Sequence, residues 1–178
     1  MMNSWEIVRK VVVLYAILLS LNNLRFMKPG LFLKSTSLLN DTLFENAVVF
    51  ITEYNEKGAM GFVVNQKFPR KLNELSAFKN GRPFPIHLGG PVDQEHLYFI
   101  HQRPDLIEGG EPVTATIFLG GDFTSVVRHI DNNILTEKDC RIFLGYCGWD
   151  YRELDEEIAE GSWEVLEMEN LFSIAQEG

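Results

Sequence analysis

The chain has 178 residues, of which 46% are hydrophobic and 23% charged, a size and composition typical of one globular domain with a real core. This composition excludes disorder for most of the chain. The net charge is −9 at pH 7, and residues 1–26 carry three cations and one carboxylate, so residues 27–178 carry −11. Because nucleic-acid binding depends largely on lysine and arginine, this acidity disfavours a nucleic-acid partner, and Arg70 and Lys71 form the only adjacent basic pair beyond residue 26.

The N-terminus differs in composition from the rest of the chain. Residues 11–21, VVVLYAILLSL, form an apolar run after Arg9 and Lys10, which is the charge order of a signal peptide or a short anchor. The run is shorter than the roughly 20 residues that span a bilayer as a helix, and no A-x-A cleavage site follows it. We favour a third interpretation, in which residues 1–26 are an N-terminal extension from a misassigned start codon. A membrane-associated segment is the next interpretation, and residues 27–178 are predicted to form the domain, without membrane contact.

The first half of the domain predicts strands joined by turns. The runs AVVFITEY at 47–54 and MGFVVNQ at 60–66 flank the turn NEKGA, which predicts a β-hairpin in which Gly58 supplies a positive φ. KLNELSAF at 71–78 predicts a short helix. Further on, the Gly-Gly-Pro sequence at 89–91 predicts a tight turn between the strands IHLGG and EHLYFIHQ.

The second half predicts further strands and two helices. TATIFLGG predicts a strand, and DFTSVVRHIDNN predicts a helix capped by Asp122, with apolar residues at i, i+3, i+4 and i+7. RIFLGY at 141–146 predicts a strand that bends at its glycines, and DYRE at 150–153 has the form of a capping box in which Asp150 is the N-cap. The helix that follows buries Leu154 and Ile158 and ends at Gly161, and SWEVLEM predicts a last strand. The acidic residues of this helix are predicted to form a solvated face; they are Glu153, Asp155, Glu156, Glu157 and Glu160.

The familiar catalytic and metal-binding motifs are absent from the sequence. It contains no P-loop, no G-x-G-x-x-G, no G-x-S-x-G, no H-E-x-x-H and no C-x-x-C, which lowers the expectation of an enzyme without excluding one. His96 and His101 are five apart and therefore point to opposite faces of one strand, while His87 on the preceding strand is free to pair with either. We predict structural histidines, and no catalytic residue, cofactor or metal site.

Two cysteines lie on one predicted strand and its exit. Cys140 and Cys147 are seven residues apart, too far along an extended strand to form a disulfide, which predicts free thiols and a cytoplasmic protein. Cys147 precedes a predicted helix N-terminus, a position that favours a thiolate, but Asp150 and Glu153 place negative charge at the same end. We therefore predict a structural role for Cys147.

Four segments taken in order resemble the YqgE/AlgH family. They are the stretch PGLFLKSTSLLNDTLFENAVVFITEYNEKGAMGFVVNQ, then HLGGPVDQEHLYFIH, then FLGGDF, and finally RIFLGYCGWDYRELDEEIAEGSW. The resemblance runs from about Pro29 to the C-terminus. The family-motif residues, which we predict to be structural, are Asp41, Phe44, Gly61, Asn65, Gly89, Gly90, Pro91, Gly120, Asp122, Gly145, Tyr146, Gly148, Trp149, Glu157 and Trp163, with Gly58 and Leu154 also matching.

The resemblance implies a fold more than a chemistry. It implies a single compact α+β domain with a bifurcated, partly barrel-like β structure surrounded by helices, in a largely uncharacterised bacterial family labelled as transcriptional regulators on genetic grounds. Cys147 stands where the family pattern usually has Ala or Ser, so a thiol mechanism is not implied.

Three classes of function remain open. The first, which we favour, is a regulator that acts through a protein partner. The second is direct binding of nucleic acid. The third is a small-ligand protein or enzyme with a pocket near the glycine-rich turns, for which Asp41, Asn65, Asp122 and Tyr146 are the available polar groups.

Overall fold

The computed structural model describes residues 5–6, 8–14, 27–166 and 170–173. The strands in this part of the chain are β1 Phe32–Ser35, β2 Val48–Asn55, β3 Gly58–Val63, β4 Lys67–Lys71, β5 Pro85–Leu88, β6 Val92–His101, β7 Glu111–Pro112, β8 Phe118–Leu119, β9 Cys140–Asp150 and β10 Trp163–Leu166. Helix α1 is Phe123–Asp131 and α2 is Glu153–Glu160. Short 3-10 helices are Ser37–Leu39, Leu72–Glu74, Ser76–Phe78 and Leu171–Ser173.

The sheet forks at its longest strand, β9. The main path of paired strands runs β10, β1, β2, β3, β9, β6, β8, β7. One edge of β9 pairs with β6, while its other edge pairs in parallel with β5 over residues 142–144 and antiparallel with β3 over residues 147–150. Strand β4 extends the β5 branch. This forked, curled sheet with flanking helices is the predicted α+β architecture, which is thereby confirmed.

Both faces of strand β2 are buried. Along β2, Val49 and Ile51 belong to the apolar cluster beneath α2, whereas Phe50 points the other way, into a cluster with Phe62 and Phe143. This two-sided burial explains why AVVFITEY reads as a continuous apolar run instead of an alternating one. A further cluster packs α1 against β5, β6 and the first half of β9.

The alternation of side chains along β9 changes phase at Gly145. Before it, Cys140 and Ile142 face the α1 cluster, at even positions; after it, Cys147 and Trp149 face the α2 cluster, at odd positions. Gly145 has φ +69°, a left-handed conformation that β-bulges commonly place at glycine. One strand therefore serves both halves of the core, and it runs on to Asp150 instead of ending at 146.

Two sequence predictions about helices need correction. Residues 71–78 form two 3-10 turns in place of one short helix, because Glu74 bonds back to the Lys71 N–H and Leu75 is extended between the turns. Asp150 is the last residue of β9 and does not cap α2, whose N-cap position is Arg152 with φ +67°. Half of the capping box survives, because the Asp150 N–H donates to the Glu153 carboxylate at 2.8 Å.

Most of the other predictions about turns, caps and strands are confirmed. The β2–β3 hairpin is confirmed, with Gly58 at φ +142°, as is α1, where the Asp122 carboxylate accepts the Thr124 N–H at 3.0 Å. Gly161, at φ +87°, ends α2 as predicted. The strand predicted in TATIFLGG is limited to the two residues of β8. The final predicted strand is confirmed as β10, and its residues 167 and 168 lie outside the described part of the chain.

The N-terminal residues that the structure describes, 5–6 and 8–14, are helical and expose their apolar side chains. Trp5 is 83% exposed, and Val8 and Val11–Leu14 are more than half exposed. Within the described residues, no helix combines the length and hydropathy needed to cross a membrane. The division of the chain at residue 26 remains a prediction. Met27, the first residue of the predicted domain, is buried in the cluster beneath α2.

Candidate docking site beside the glycine crossing

Residues Gly89–Pro91 cross over the middle of β9, a feature that we call the glycine crossing. The sequence predicted a tight turn here, but β5 and β6 do not pair with each other: they lie on opposite edges of β9, and the crossing connects them. The Gly89 N–H donates to the Leu144 carbonyl at 2.9 Å, and the Gly89 carbonyl accepts the Val63 N–H at 2.8 Å. A Cβ atom on Gly89 would lie 2.2 Å from the Gly145 carbonyl oxygen, so only glycine fits.

Asn65, just after β3, holds the loop that precedes β2. Its Oδ1 accepts the Val48 N–H and its Nδ2 donates to the Asn46 carbonyl, both at 2.8 Å. Gln66 adds a weaker bond from its side-chain amide to the Glu45 carbonyl at 3.3 Å. The loop between Asn40 and Ala47, which we call the 40–47 loop, is therefore held against the end of β3.

A cluster of aromatic rings anchors the other side of the 40–47 loop. Phe44 packs edge-on against Trp163 with ring centroids 5.4 Å apart, and Trp163 in turn contacts Trp149. One oxygen of Glu157 accepts both indole N–H groups, at 2.8 Å from Trp149 and 2.7 Å from Trp163. Glu157 was predicted to face water; the prediction was wrong because the helix register turns this carboxylate towards the two rings.

An apolar cleft of about 110 Å³ lies between the 40–47 loop and the glycine crossing. We call it the apolar cleft; its lining residues are Leu43, Phe44, Val63, Gln66, Leu88, Gly90, Pro91 and Gln94. Leu43 is 70% exposed, although its neighbour Phe44 is anchored in the aromatic cluster. The cleft thus has a fixed floor and one large apolar side chain open to solvent.

Exposed charges next to the lining residues are mostly negative. Asp41 and Glu45 flank the leucine and phenylalanine of the loop, and Asp93 and Glu95 flank Gln94 on β6, while Lys67 follows Gln66. The side chains of all five residues are exposed. The charged residues that adjoin the lining residues in the sequence are therefore mainly acidic, and one of them, Asp93, is bonded to His96.

Asp93 organises a small polar group at the start of β6. It has φ +52°, and its carboxylate accepts the Tyr98 hydroxyl at 2.5 Å and contacts His96 Nδ1 at 2.7 Å. The bonds from Tyr98 and His96 lower the pKa of Asp93, whereas the carboxylate raises the pKa of His96. The Tyr98 ring packs edge-on against Tyr146 at 5.4 Å, which gives Tyr146 a packing role beside the glycine crossing.

The other histidines of β5 and β6 lie apart in the core. His87 contacts the Phe143 ring, and burial lowers its pKa to about 4. His101 stacks on Phe118, and burial lowers its pKa as well. Among the described residues, no group of three or more His, Cys, Asp and Glu side chains is arranged to hold a metal ion.

Both cysteines are free and buried. The Cys147 thiol donates to the Gly89 carbonyl at 3.3 Å, and burial raises its pKa to about 12. Burial raises the pKa of Cys140 as well. A protonated thiol that braces the glycine crossing is a poor nucleophile, because the thiolate is the reactive form.

A second, more polar cleft of about 410 Å³ lies at the far end of the β2–β3 hairpin. It is lined by Tyr54, Glu56, Asp150, Arg152 and Asp155, among others. The Tyr54 hydroxyl donates to Asp155 at 2.7 Å, and burial together with this carboxylate raises the pKa of Tyr54 to about 12. Asp155 is therefore a second exception to the predicted solvated face of α2.

The four polar residues considered for a ligand pocket each have a separate structural role. Asn65 holds the 40–47 loop, Asp122 caps α1, and Tyr146 packs on Tyr98, while Asp41 occupies a left-handed turn with φ +60°. Asp41, Asn65 and Tyr146 flank the loop and the crossing; Asp122 belongs to the start of α1. The sequence prediction overlooked Leu43, whose signal was a second large apolar residue, beside Phe44, within the otherwise polar turn NDTLFEN.

The forked sheet and the crossing define the class of the molecule, an α+β domain built on a curled half-barrel. The chain belongs to the AlgH-like family, whose model matches residues 32–177. It is 34% identical to a UPF0301 protein of Chlorobium limicola over 153 residues, covering 85% of this chain and 82% of that one. A UPF0301 protein of Bacteroides fragilis is 33% identical over 144 residues, 80% of this chain and 73% of its own.

Solved structures agree with the fold. The AlgH protein from Pseudomonas aeruginosa superposes with a TM-score of 0.67 at 25% identity, covering 84% of this chain and 82% of that one. A protein of Corynebacterium diphtheriae gives a TM-score of 0.64 at 18% identity, with coverage of 78% and 75%, and supports the fold alone.

Proposed function

We propose that this chain is a bacterial regulatory protein that influences gene expression through contact with a protein partner. The observation that carries the proposal is the apolar cleft, which the exposed Leu43 lines and whose glycine crossing is fixed by backbone hydrogen bonds. Side chains that anchor a protein interface commonly fill well-packed pockets on the partner. The proposal places the protein in the cytoplasm, in keeping with its two free thiols.

Charge supports a protein partner over a nucleic acid. The exposed charges that adjoin the lining residues in the sequence are mostly negative, and the whole chain carries −9. Phosphate backbones are bound by lysine and arginine, so this balance of charge disfavours a nucleic-acid partner.

One observation favours direct nucleic-acid binding as a second candidate. Five cations lie within residues 67–82 with Glu74 as the only acid: they are Lys67, Arg70, Lys71, Lys79 and Arg82. All five are exposed. This short basic stretch could contact a few phosphates, although natural edge strands such as β4 also carry lysine and proline to prevent strand pairing.

Affinity capture of the full chain from native bacterial lysate tests the two candidates. One half of the lysate is treated with nuclease, and captured proteins are identified by mass spectrometry at about 150 mM salt. We expect the same specific proteins in both halves, also for the variant Arg70→Glu/Lys71→Glu. Enrichment that disappears with nuclease, or with the charge reversal, would contradict the proposal and favour nucleic acid.

A further inference from the structure

We infer that the apolar cleft binds a protein segment in which a large apolar side chain is flanked by lysine or arginine. The inference rests on the proposed function and gives the chemistry of its partner. It follows from three properties of the cleft: its rigidity, its open apolar surface and its charge.

The floor of the cleft is formed before any partner arrives. The glycine crossing is bonded to both β3 and β9 through Gly89, and Asn65 fixes the 40–47 loop through two backbone groups. Phe44 adds an apolar anchor against Trp163. A site that is already ordered loses little conformational entropy on binding, which favours affinity from a small contact area.

The open apolar surface calls for an apolar side chain. A volume of about 110 Å³ suits a single large side chain, not an extended ligand. Leu43 would cover such a side chain and lose its own exposed area in the complex.

The charges beside the cleft indicate which residues flank the apolar side chain of the partner. Among the exposed charges that adjoin the lining residues in the sequence, Asp41, Glu45, Asp93 and Glu95 outnumber Lys67, and Asp93 is bonded to His96. Such an arrangement attracts lysine and arginine, repels phosphates and the anionic headgroups of a lipid surface, and mainly speeds association. A basic protein segment is thus the occupant that suits both the apolar floor and the acidic residues beside it in the sequence.

Selection from a random peptide library displayed on phage tests this chemistry directly. The full chain is immobilised, and the selected peptides are synthesised and titrated by fluorescence polarisation. We expect enrichment of leucine, isoleucine or phenylalanine next to lysine or arginine, with affinity that falls as salt rises. Failure to enrich any peptide, or enrichment of acidic ones, would overturn the inference.

Matched variants locate the binding site. We expect Leu43→Ser to weaken binding of the selected peptides by about tenfold or more, and Glu45→Lys/Glu95→Lys to do the same while reducing the salt dependence. The controls are Ile134→Ser, an exposed residue outside the cleft, and Glu160→Lys on α2; both should bind within about twofold of the unmodified chain. Equal binding by Leu43→Ser and by the unmodified chain would refute the site.

The same variants separate this inference from the proposed function. If Leu43→Ser captures the nuclease-resistant proteins as well as the unmodified chain does, the cleft is refuted while the regulatory proposal stands. If the unmodified chain captures no such proteins, the regulatory proposal fails. A dimer in light scattering that Leu43→Ser dissociates would show that a second copy of the chain occupies the cleft, which overturns the inference of a basic partner segment.

Discussion

At the scale of single residues, Glu157 stabilises the fold although it lies in a run of mostly exposed acids, because it accepts hydrogen bonds from two buried indoles. Replacing it with leucine leaves the indole N–H groups of Trp149 and Trp163 without an acceptor, and both rings are more than 90% buried. We expect Glu157→Leu to lower the free energy of unfolding by about 2–4 kcal/mol, measured by urea titration with tryptophan fluorescence. Glu156→Leu, on the exposed side of the same helix, should change it by less than about 0.5 kcal/mol. Equal losses would contradict the assigned role.

Because His87 is buried, we expect the free energy of unfolding to depend on pH. Its pKa is lowered to about 4 in the folded chain, by burial first and by the nearby Arg141 charge second, against about 6.5 when unfolded. Between these values the unfolded chain binds a proton that the folded chain does not, so stability present above pH 6.5 is lost as the pH falls towards 4. We expect His87→Phe to reduce the loss between pH 7 and 4.5 by about 2 kcal/mol, measured by urea unfolding at each pH.

The control for this prediction is His96→Asn. The pKa of His96 is raised by Asp93, so its contribution is present below the unfolded pKa and disappears as the pH rises through the folded one. Removing it therefore cannot reduce the acid loss. A reduction by His96→Asn, or none by His87→Phe, would show that other groups control the acid response.

At the scale of elements, the glycine crossing is the joint between the two halves of the sheet. A methyl group on Gly89 would press on the backbone of Gly145, which cannot move without breaking the bond between Gly89 and Leu144. We expect Gly89→Ala to cost more than about 3 kcal/mol in thermal or urea unfolding. Gly148→Ala on the same β9 strand meets only the edge of the Tyr146 ring, at 3.2 Å, and should cost less than about 1 kcal/mol. Comparable costs would argue against the crossing as a rigid joint.

At the scale of the whole molecule, we expect residues 1–26 to be dispensable for folding. The described residues of this segment expose their apolar side chains, whereas Met27 is buried in the core. A chain that begins at Met27 should therefore unfold within about 0.5 kcal/mol of the full chain in urea. Removal of residues 1–31 is the matched comparison, because it also deletes Met27 and Leu31, which pack against the core beneath α2. A large loss on removing residues 1–26 alone would contradict the proposed boundary.

Local sequence patterns accounted for much of the fold but little of the candidate site. The hairpin at Gly58, the cap at Asp122 and the stop at Gly161 follow from contacts between near neighbours, which a pattern can register. The apolar cleft joins Leu43 to Pro91, residues that are far apart in sequence. Nothing in either segment alone indicates that they meet.

The sequence by itself determined the family resemblance and, through it, the α+β class. It also determined the acidity and the free state of Cys140 and Cys147, because these depend on composition and on spacing along one strand. Only the tertiary structure decided that β9 is shared by both halves of the sheet and that Gly89 crosses it. It also decided that Glu157 serves two tryptophans. These features come from contacts between distant segments, and such contacts are selected by the packing of the whole core and not by the preferences of any one stretch.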